Sequence, residues 1–162
     1  MIIGICCVDN KWGLGKKNEL LFHLPKDMAF FKNTTADSIV VCGLNTLLSF
    51  PGSRPLKGRS TIVLCPPDYE RDDCFCIHDF NQMVKLLKEL SKTKNVYVIG
   101  GGMLYQSMLP YYDEVLLTKV DADGGAEVFF PNLDECPEFT ARRVSSCEDM
   151  GYDTSFWTYK RK

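Results

Sequence analysis

Short apolar runs rich in β-branched residues alternate along the chain with segments of helical character. Five of these runs predict strands, and several are apolar at every position: IIGICCV, SIVVCG, STIVLC, NVYVIG and DEVLLTKV. A strand that is covered on both faces needs apolar side chains on both sides, so the pattern predicts a largely parallel sheet beneath helices. The predicted fold class is therefore α/β.

Four other segments predict helices: PKDMAFFKNTT, NTLLSF, DFNQMVKLLKELSK and GMLYQSML. The third has the clearest pattern, because apolar residues from Phe80 to Leu90 recur along one side and Asp79 can cap its N-terminus. Beyond DEVLLTKV, the segments FTARRVSSCE and TSFWTYKRK contain strand-forming residues with no clear helix between them. They predict an antiparallel pair at the end of the sheet.

One long stretch, DNKWGLGKKNELLFHL, has no regular pattern and lies between the first strand and the first helix. Unstructured connections of about sixteen residues are uncommon in compact domains and are often functional lids. We therefore expect this segment to be a loop that closes over a binding site.

Size and charge limit the possible functions. With 162 residues the chain can form one well-buried core, and nothing marks a second domain, so residues 1–162 are expected to form a single domain. The formal net charge of -2, from 19 basic and 21 acidic residues, lacks the basic excess that nucleic-acid binding requires. The first apolar run has no charged segment before it and stops at Asp9, so neither a signal peptide nor a membrane span is expected.

The eight cysteines are an even number, which permits disulfides, but several lie in apolar runs such as IIGICCV and IVVCG, where they resemble small hydrophobic residues. We therefore expect a reducing cytoplasm. Cys74 and Cys76 form the one closely spaced pair, and the two histidines, His23 and His78, are far apart in the sequence. This spacing predicts no metal site.

Two predicted strands end in glycine and lead directly into a helix, at IVVCG followed by LNTLLSF and at VYVIGGG followed by MLYQSML. Glycine allows the backbone to approach a ligand, and a helix N-terminus offers unpaired amide donors, so each junction is a candidate phosphate site. For Gly43 alone, a tight strand-to-helix turn is the favoured explanation. The triplet Gly100 to Gly102 is a stronger signal, although Tyr105 occupies the third glycine position of the dinucleotide-binding fingerprint.

The segment GSRPLKGRST contains Arg54, Lys57 and Arg59 before a predicted strand. A solvated turn explains these charges. The alternative is a binding site for a carboxylate, which a guanidinium group contacts through two parallel hydrogen bonds.

Asp27 also has two interpretations. In the first turn of a helix that begins at Pro25, a carboxylate gains about 0.3 to 1 kcal/mol from the helix dipole. Helical spacing, however, also places Phe30 and Phe31 beside it. If that face is buried, an ionised carboxylate costs several kcal/mol without a partner, so a buried Asp27 requires a ligand or a hydrogen-bond network.

The order and spacing of WGLGKKNELLFHLPKDMAFFK, IVVCGLNT, SRPLKGRST, VIGGGMLY, LLTKVDA and EVFFP resemble those of the dihydrofolate reductases over nearly the whole chain. The resemblance implies a single-domain dihydrofolate-reductase-like fold, with a twisted, mainly parallel eight-stranded sheet, four flanking helices and antiparallel C-terminal strands. It implies reduction of 7,8-dihydrofolate to 5,6,7,8-tetrahydrofolate by hydride transfer from NADPH, in support of one-carbon metabolism and thymidylate synthesis. Antifolate inhibitors are further expected ligands, and the expected state is a monomer.

The resemblance also implies roles for individual residues. Asp27 would bind the pterin's amino group and ring nitrogen and favour protonation of the imine nitrogen, with water delivering the proton. Thr118 would support Asp27, and Leu20 and Phe22 complete the expected catalytic set. The expected substrate-binding residues are Ile5, Cys7, Asp27, Met28, Phe31, Lys32, Phe50, Arg54, Leu56, Arg59, Ile99 and Thr118. The expected cofactor-binding residues are Cys7, Leu14, Gly15, Asn18, Leu20, Gly43, Leu44, Asn45, Thr46, Leu64, Cys65, Ile99, Gly100, Gly101, Gly102, Met103, Leu104 and Tyr105.

The chain departs from the family pattern in two places. Leu21 and Phe22 replace a common Pro-Trp pair, and Phe22 lacks the ring nitrogen that helps to hold an active-site water. Leu44 and Met103 occupy positions where members often have arginine, and Cys65 stands where hydroxyl residues are common. Losing a charge-assisted hydrogen bond removes about 1.5 to 3 kcal/mol of binding free energy. The sequence therefore predicts weaker selectivity for NADPH over NADH, unless His78 or a loop lysine supplies the missing positive charge.

Two alternatives to dihydrofolate reduction remain open at this stage. One is a related pterin or aminopyrimidine reductase of the same fold, against which the combination of Asp27, Phe31 and Arg59 argues. The other is a folate- or nucleotide-binding protein without turnover, which Phe22 and Leu44 motivate.

Overall fold

A computed structural model describes residues 1–17 and 19–162 of the chain. The strands are β1 (Ile2–Val8), β2 (Gly13–Lys16), β3 (Glu19–Leu20), β4 (Ile39–Gly43), β5 (Ser60–Leu64), β6 (Phe75–Ile77), β7 (Val96–Gly100), β8 (Glu114–Val120), β9 (Val128–Phe129), β10 (Phe139–Asp149) and β11 (Tyr152–Arg161). The α-helices are α1 (Pro25–Thr35), α2 (Leu44–Ser49), α3 (Phe80–Leu90) and α4 (Gly102–Ser107). Short 3₁₀ turns span Pro51–Ser53, Leu109–Tyr111 and Leu133–Glu135.

Within the described residues, eight strands form one sheet in the order β10-β11-β8-β1-β7-β4-β5-β6. The strands from β8 to β6 in this order pair in parallel, and β11 pairs antiparallel with both β8 and β10. Consecutive residues of β4, Val40 and Val41, are both fully buried, as expected when helices cover both faces of a strand. The predicted α/β class, the mainly parallel eight-stranded sheet and the antiparallel C-terminal strands are confirmed.

The predicted helices agree with the structure to within a few residues at their ends. Helix α1 begins at Pro25, where the missing N–H costs no helical hydrogen bond. At the start of α3 the Asp79 carboxylate accepts a hydrogen bond from the Gln82 amide at 2.8 Å, and Met83 and Leu87 are fully buried. Local capping and apolar periodicity therefore account for these two elements.

The prediction of an irregular loop between β1 and α1 is partly wrong. Strands β2 and β3 lie in this segment and pair with each other, and β2 also pairs with the distant β9 to form a small three-stranded sheet. Strand β6 was not predicted either. These strands contain two to four residues each and depend on partners far away in the sequence, so they leave little periodic signal.

All eight cysteines, each within the described part of the chain, are free thiols, and Cys42 and Cys65 are buried in the apolar core. In residues 1–17 and 19–162, no group of three or more His, Cys, Asp or Glu side chains is arranged to hold a metal ion. The helices described here include none that is long and apolar enough to cross a membrane.

Candidate active site

A cleft with a volume of about 1520 Å³ opens where β4, β5 and β7 end, at Gly43, Leu64 and Gly100. Helix α1 contributes one wall, and strands β2 and β3 contribute residues at the opposite side. In open α/β sheets, ligands bind outside the carboxyl ends of parallel strands, which is the position of this cleft.

Asp27 lies in the first turn of α1, half-buried, with its carboxylate directed toward β8. The hydroxyl of buried Thr118 in β8 donates a hydrogen bond to Asp27 Oδ1 at 2.6 Å. Phe31, one helical turn further on, also lines the cleft. Helical spacing and the neighbouring strand thus place the acid, its supporting hydroxyl and an aromatic wall at one point of the cleft.

Burial raises the pKa of Asp27 above its usual value, because the charged form loses water. Hydrogen bonding by Thr118 and Cys7 opposes this shift, and the negative charge of Asp149 adds to it. Burial and the charge of Asp27 also raise the pKa of the Cys7 thiol, which therefore keeps its proton at neutral pH. Asp27 consequently lies between neutral groups that can donate hydrogen bonds to it.

Most of the expected substrate-binding residues line the cleft. In addition to Asp27, Thr118 and Phe31, the structure places there the side chains of Ile5, Cys7, Met28, Lys32, Phe50, Leu56, Arg59 and Ile99. Apolar groups dominate this set, so a bound ring would be largely removed from water.

Arg59 is held by α1 and by its own loop. Its Nε donates to the Thr35 hydroxyl at 3.0 Å, Nη1 to the Lys57 carbonyl at 2.5 Å and Nη2 to the Lys32 carbonyl at 2.9 Å. A guanidinium group has five N–H donors, so one N–H remains on each terminal nitrogen. The fixed group can therefore still bind a carboxylate through two hydrogen bonds.

Two expected site residues do not line the cleft. Arg54 is exposed, and its side chain packs over Gly52, which has a φ of 67° in the preceding turn. Cys65 is buried, with its Sγ 3.7 Å from the Tyr69 carbonyl oxygen and 3.8 Å from that of Ile77. Neither Arg54 nor Cys65 is among the residues that line the cleft, and their assignments to substrate and cofactor binding stay predictions. The expected contact at Asn18 lies outside the described residues.

The other expected cofactor-binding residues gather at the opposite end of the cleft. They are Leu14, Gly15, Leu20, Gly43, Leu44, Asn45, Thr46, Leu64, Gly100, Gly101, Gly102, Met103, Leu104 and Tyr105. The backbone is closely packed here: a Cβ on Gly100 or Gly101 would stand 3.2 Å from Thr46 Oγ1, and a Cβ on Gly102 would overlap Val128. Only glycine leaves the strand-to-helix junction open to a ligand.

Positive charge is scarce where Leu44, Leu64 and Pro66 form the wall. Nearby, His78 Nε2 lies 2.6 Å from a carboxylate oxygen of Glu70, and this hydrogen bond raises the pKa of His78. Arg71 is likewise bound by Asp73. These cations are thus already paired with acids.

Sequence reasoning missed two buried acids that shape the site. Asp9 accepts hydrogen bonds from the amides of Lys11, Gly13 and Gly124, at 2.7 to 2.9 Å, and so ties the segment of β2 to the loop that precedes β9. Asp149 accepts from the amides at the start of α1. The one sequence signal for Asp149 is indirect, because Leu24 precedes Pro25 and cannot cap the helix with its side chain.

Comparison with known proteins identifies the family. The family model for dihydrofolate reductase matches residues 1–161. Dihydrofolate reductase from Bacillus subtilis is 31% identical over 165 aligned residues, which cover 100% of this chain and 95% of the relative. The enzyme from Haemophilus influenzae is 32% identical, with coverage of 92% and 91%. The structure of Enterococcus faecalis dihydrofolate reductase complexed with NADP(H) and RAB-propyl superposes with a TM-score of 0.82 at 29% identity, covering 100% of this chain and 96% of that one. The chain belongs to the dihydrofolate reductase family.

Proposed function

We propose that the chain reduces 7,8-dihydrofolate to 5,6,7,8-tetrahydrofolate with NADPH as the hydride donor. The observation that carries this proposal is the position of Asp27, which is hydrogen-bonded to Thr118 inside a largely apolar cleft. The glycine-rich ends of β4 and β7 form the other end of the same cleft. One cavity therefore offers sites for both reactants.

The Asp27 end suits a pterin ring. The carboxylate can accept hydrogen bonds from an amino group and an adjacent ring nitrogen, which lie side by side on one edge of a pterin. Ile5 and Phe31 supply apolar surface for the faces of the ring. Because the ring donates to the carboxylate, the ligand itself provides the partner that a partly buried charge requires.

Arg59 extends the substrate site toward the glutamate portion of dihydrofolate. Its two remaining N–H donors, one on each terminal nitrogen, match the two oxygens of a carboxylate. Three existing hydrogen bonds hold the guanidinium in place, so little conformational entropy is lost on binding. This arrangement favours a folate over a pterin that has no carboxylate tail.

The opposite end of the cleft fits a dinucleotide. A Cβ at Gly100 or Gly101 would crowd Thr46, so the glycines keep open a groove where phosphates can meet backbone amides. Thr46 and residues 101–105 would bind the phosphates, and Cys7 and Ile99 would contact the nicotinamide ring. The E. faecalis relative was solved with NADP(H), which supports this assignment.

NADPH, when bound, supplies the hydride to the imine carbon of the substrate. The chain's own groups favour this transfer in three ways. Asp27 orients the ring, and its negative charge favours protonation of the adjacent imine nitrogen, to which water delivers the proton. Apolar walls at Ile5, Phe31 and Ile99 exclude other water and so strengthen these electrostatic interactions.

We also infer the conditions under which the protein acts. One chain contributes both ends of the cleft, which supports action as a monomer. Eight free thiols support a reducing compartment such as the cytoplasm. Antifolates with a protonated ring would bind Asp27 through the same contacts as the substrate.

The decisive test is the loss of NADPH absorbance on addition of dihydrofolate, measured for the parent and for Asp27→Asn. Asparagine keeps the size of the side chain but loses the charge, so kcat/KM at neutral pH should fall about a hundredfold or more. Asp37→Asn, which changes an exposed acid outside the cleft, is the matched control and should keep parental rates.

An inactive parent that still binds dihydrofolate and NADPH would favour the non-catalytic alternative. Turnover of an aminopyrimidine or another pterin, without turnover of dihydrofolate, would favour the related reductases. If the parent is active and Asp27→Asn matches it, the family activity stands and only the role of Asp27 is wrong.

A further inference from the structure

Helix α1, which carries Asp27, has no cap from its own sequence. Leu24 occupies the N-cap position and makes no side-chain hydrogen bond, and Pro25 has no N–H. The next two amides, of Lys26 and Asp27, both donate to Asp149 Oδ2, at 3.0 and 3.2 Å. A carboxylate more than 120 residues away thus performs the function that a serine or aspartate normally performs locally.

The surrounding contacts show that the residues on both sides of the β10–β11 turn contact the start of α1 and the segment before it. Asp149 is only 4% exposed, so its carboxylate has little access to water. Lys26 Nζ donates to the Glu148 carbonyl at 2.6 Å. The Phe22 and Tyr152 rings meet edge to face, with their centroids 4.9 Å apart. The hairpin therefore holds both the helix N-terminus and the segment that leads into it.

The electrostatic effect of Asp149 reaches the reaction centre. Helix α1 presents Lys26 and Asp27 to it, β1 presents Cys7, and its own hairpin contributes Glu148. The charge of Asp149 raises the pKa of Asp27 and also that of Cys7. A nearby negative charge disfavours a second one, so the Asp149 carboxylate makes Asp27 take up a proton more readily.

We propose that Asp149 is a positioning residue for dihydrofolate reduction, which holds the first turn of α1 so that the Asp27 carboxylate stays aligned with Thr118 and the pterin edge. This inference rests on the proposed function. The Asp149 carboxylate has a second role, because its negative charge favours the protonated form of Asp27.

The test compares Asp149→Asn with Asp149→Ala in the full chain. The asparagine oxygen can still accept both amide hydrogen bonds, so the alignment should survive while the charge is lost. We expect the plateau value of kcat/KM for dihydrofolate, away from the midpoint of the pH profile, to stay within about twofold of the parent. The midpoint of the pH profile should move to lower pH, because removal of a nearby negative charge lowers the pKa of Asp27.

Asp149→Ala removes the acceptor as well, leaves two amides unpaired and should lower kcat/KM about tenfold across the pH range. Asp153→Asn changes an exposed acid in the same hairpin, whose backbone carbonyl accepts from Asp121, and it should leave both the rate and the pH midpoint unchanged. Thermal unfolding of each variant separates a loss of stability from a loss of function.

If Asp149 has a structural role alone, both variants should have a lower melting temperature. The pH midpoint of Asp149→Asn and the rate of Asp149→Ala should then equal the parental values, and this result would overturn the proposal. NMR titration of the Asp27 carboxyl carbon in the parent and in Asp149→Asn measures the same pKa difference without turnover. If the parent is inactive but the pKa of Asp27 measured by NMR is lower in Asp149→Asn, the proposed reaction is refuted and the action of Asp149 on Asp27 is supported. If the variant leaves the pKa of Asp27 unchanged, that action is refuted.

Discussion

At the scale of single residues, the acids buried around the cleft are held by uncharged donors. Within the described residues, Asp9, Asp27 and Asp149 form no salt bridge, and their partners are backbone amides, the Thr118 hydroxyl and the Cys7 thiol. Hydrogen bonds from neutral groups stabilise a carboxylate without cancelling its field. Negative potential therefore remains available in the cleft to favour a ring that gains a proton.

Near the cofactor end, two basic side chains are already paired with acids. His78 is bound to Glu70 and Arg71 to Asp73, while Leu44 in the cleft wall carries no charge. The phosphate that distinguishes NADPH from NADH would lie beside Leu44 if this chain follows the family pattern. An anion there finds less positive charge than a member with arginine would offer.

We therefore predict weak discrimination between the two cofactors. The ratio of kcat/KM for NADPH to that for NADH should be below about tenfold, and Leu44→Arg should raise it about tenfold by adding a charge-assisted hydrogen bond. Leu48→Arg, on the exposed side of the same helix, is the control and should leave the ratio unchanged. A parental ratio above a hundredfold would contradict the prediction and point to His78 or a loop lysine.

The structure places expected site residues with strong local patterns along the cleft, whereas Arg54 and Cys65, whose contacts depend on side-chain direction, do not line it. Asp27 and Phe31 share a helical face, so spacing alone indicates that they lie together. Arg54 and Arg59 look equivalent in GSRPLKGRST, and only the turn at Gly52 directs one of them away. Asp149 had no local signal, because its partners are on another element.

At the scale of elements, the Asp9 carboxylate joins the start of β2 to the loop that precedes β9. Asp9 Oδ1 accepts from Lys11, just before β2, and from Gly13, the first residue of β2, and Oδ2 accepts from Gly124 before β9. Strands β2 and β9 then pair directly, and β2 contributes Gly15 to the cleft. Asp9 thus fixes the edge of the small sheet that lies over the cofactor end.

Replacing Asp9 should therefore weaken both stability and cofactor binding. Asp9→Ala leaves three amides without their acceptor, and we expect a loss of about 2 to 3 kcal/mol in the free energy of unfolding. The dissociation constant for NADPH should rise more than that for dihydrofolate, since β2 borders the cofactor end. Chemical denaturation and fluorescence titration measure these quantities, with Asp121→Ala in the adjacent loop as the control; equal changes in both constants would refute a selective role for Asp9.

Elements were predictable where the pattern is long and were missed where pairing is remote. The continuous apolar runs of β1, β4 and β7 identify buried parallel strands, and α3 follows from its cap and its periodicity. Strand β6 has three residues, lies at the edge of the sheet and was not predicted from its sequence pattern. The expected total of eight strands came from the family resemblance. The sequence of a short strand does not contain the partner that stabilises it.

At the scale of the whole molecule, we propose that residues 1–162 behave as one domain. The same sheet supports the Asp27 end and the glycine-rich end of the cleft, so either ligand should stabilise the entire chain. Thermal unfolding should show one cooperative transition. NADPH at about 100 times its dissociation constant should raise the free energy of unfolding by about 2.7 kcal/mol. Two transitions, of which NADPH shifts only one, would contradict the single-domain proposal.

The strand order also determines when the protein can fold during synthesis. Strand β11 lies between β8 and β10 in the sheet, although it is the last strand along the chain. The turn that precedes it caps the helix carrying Asp27, which the ribosome makes more than a hundred residues earlier. A nascent chain that stops before Asp149 therefore has an unpaired edge at β8 and lacks the carboxylate that caps α1. Competence to bind folate should appear only after the C-terminal hairpin has left the ribosome.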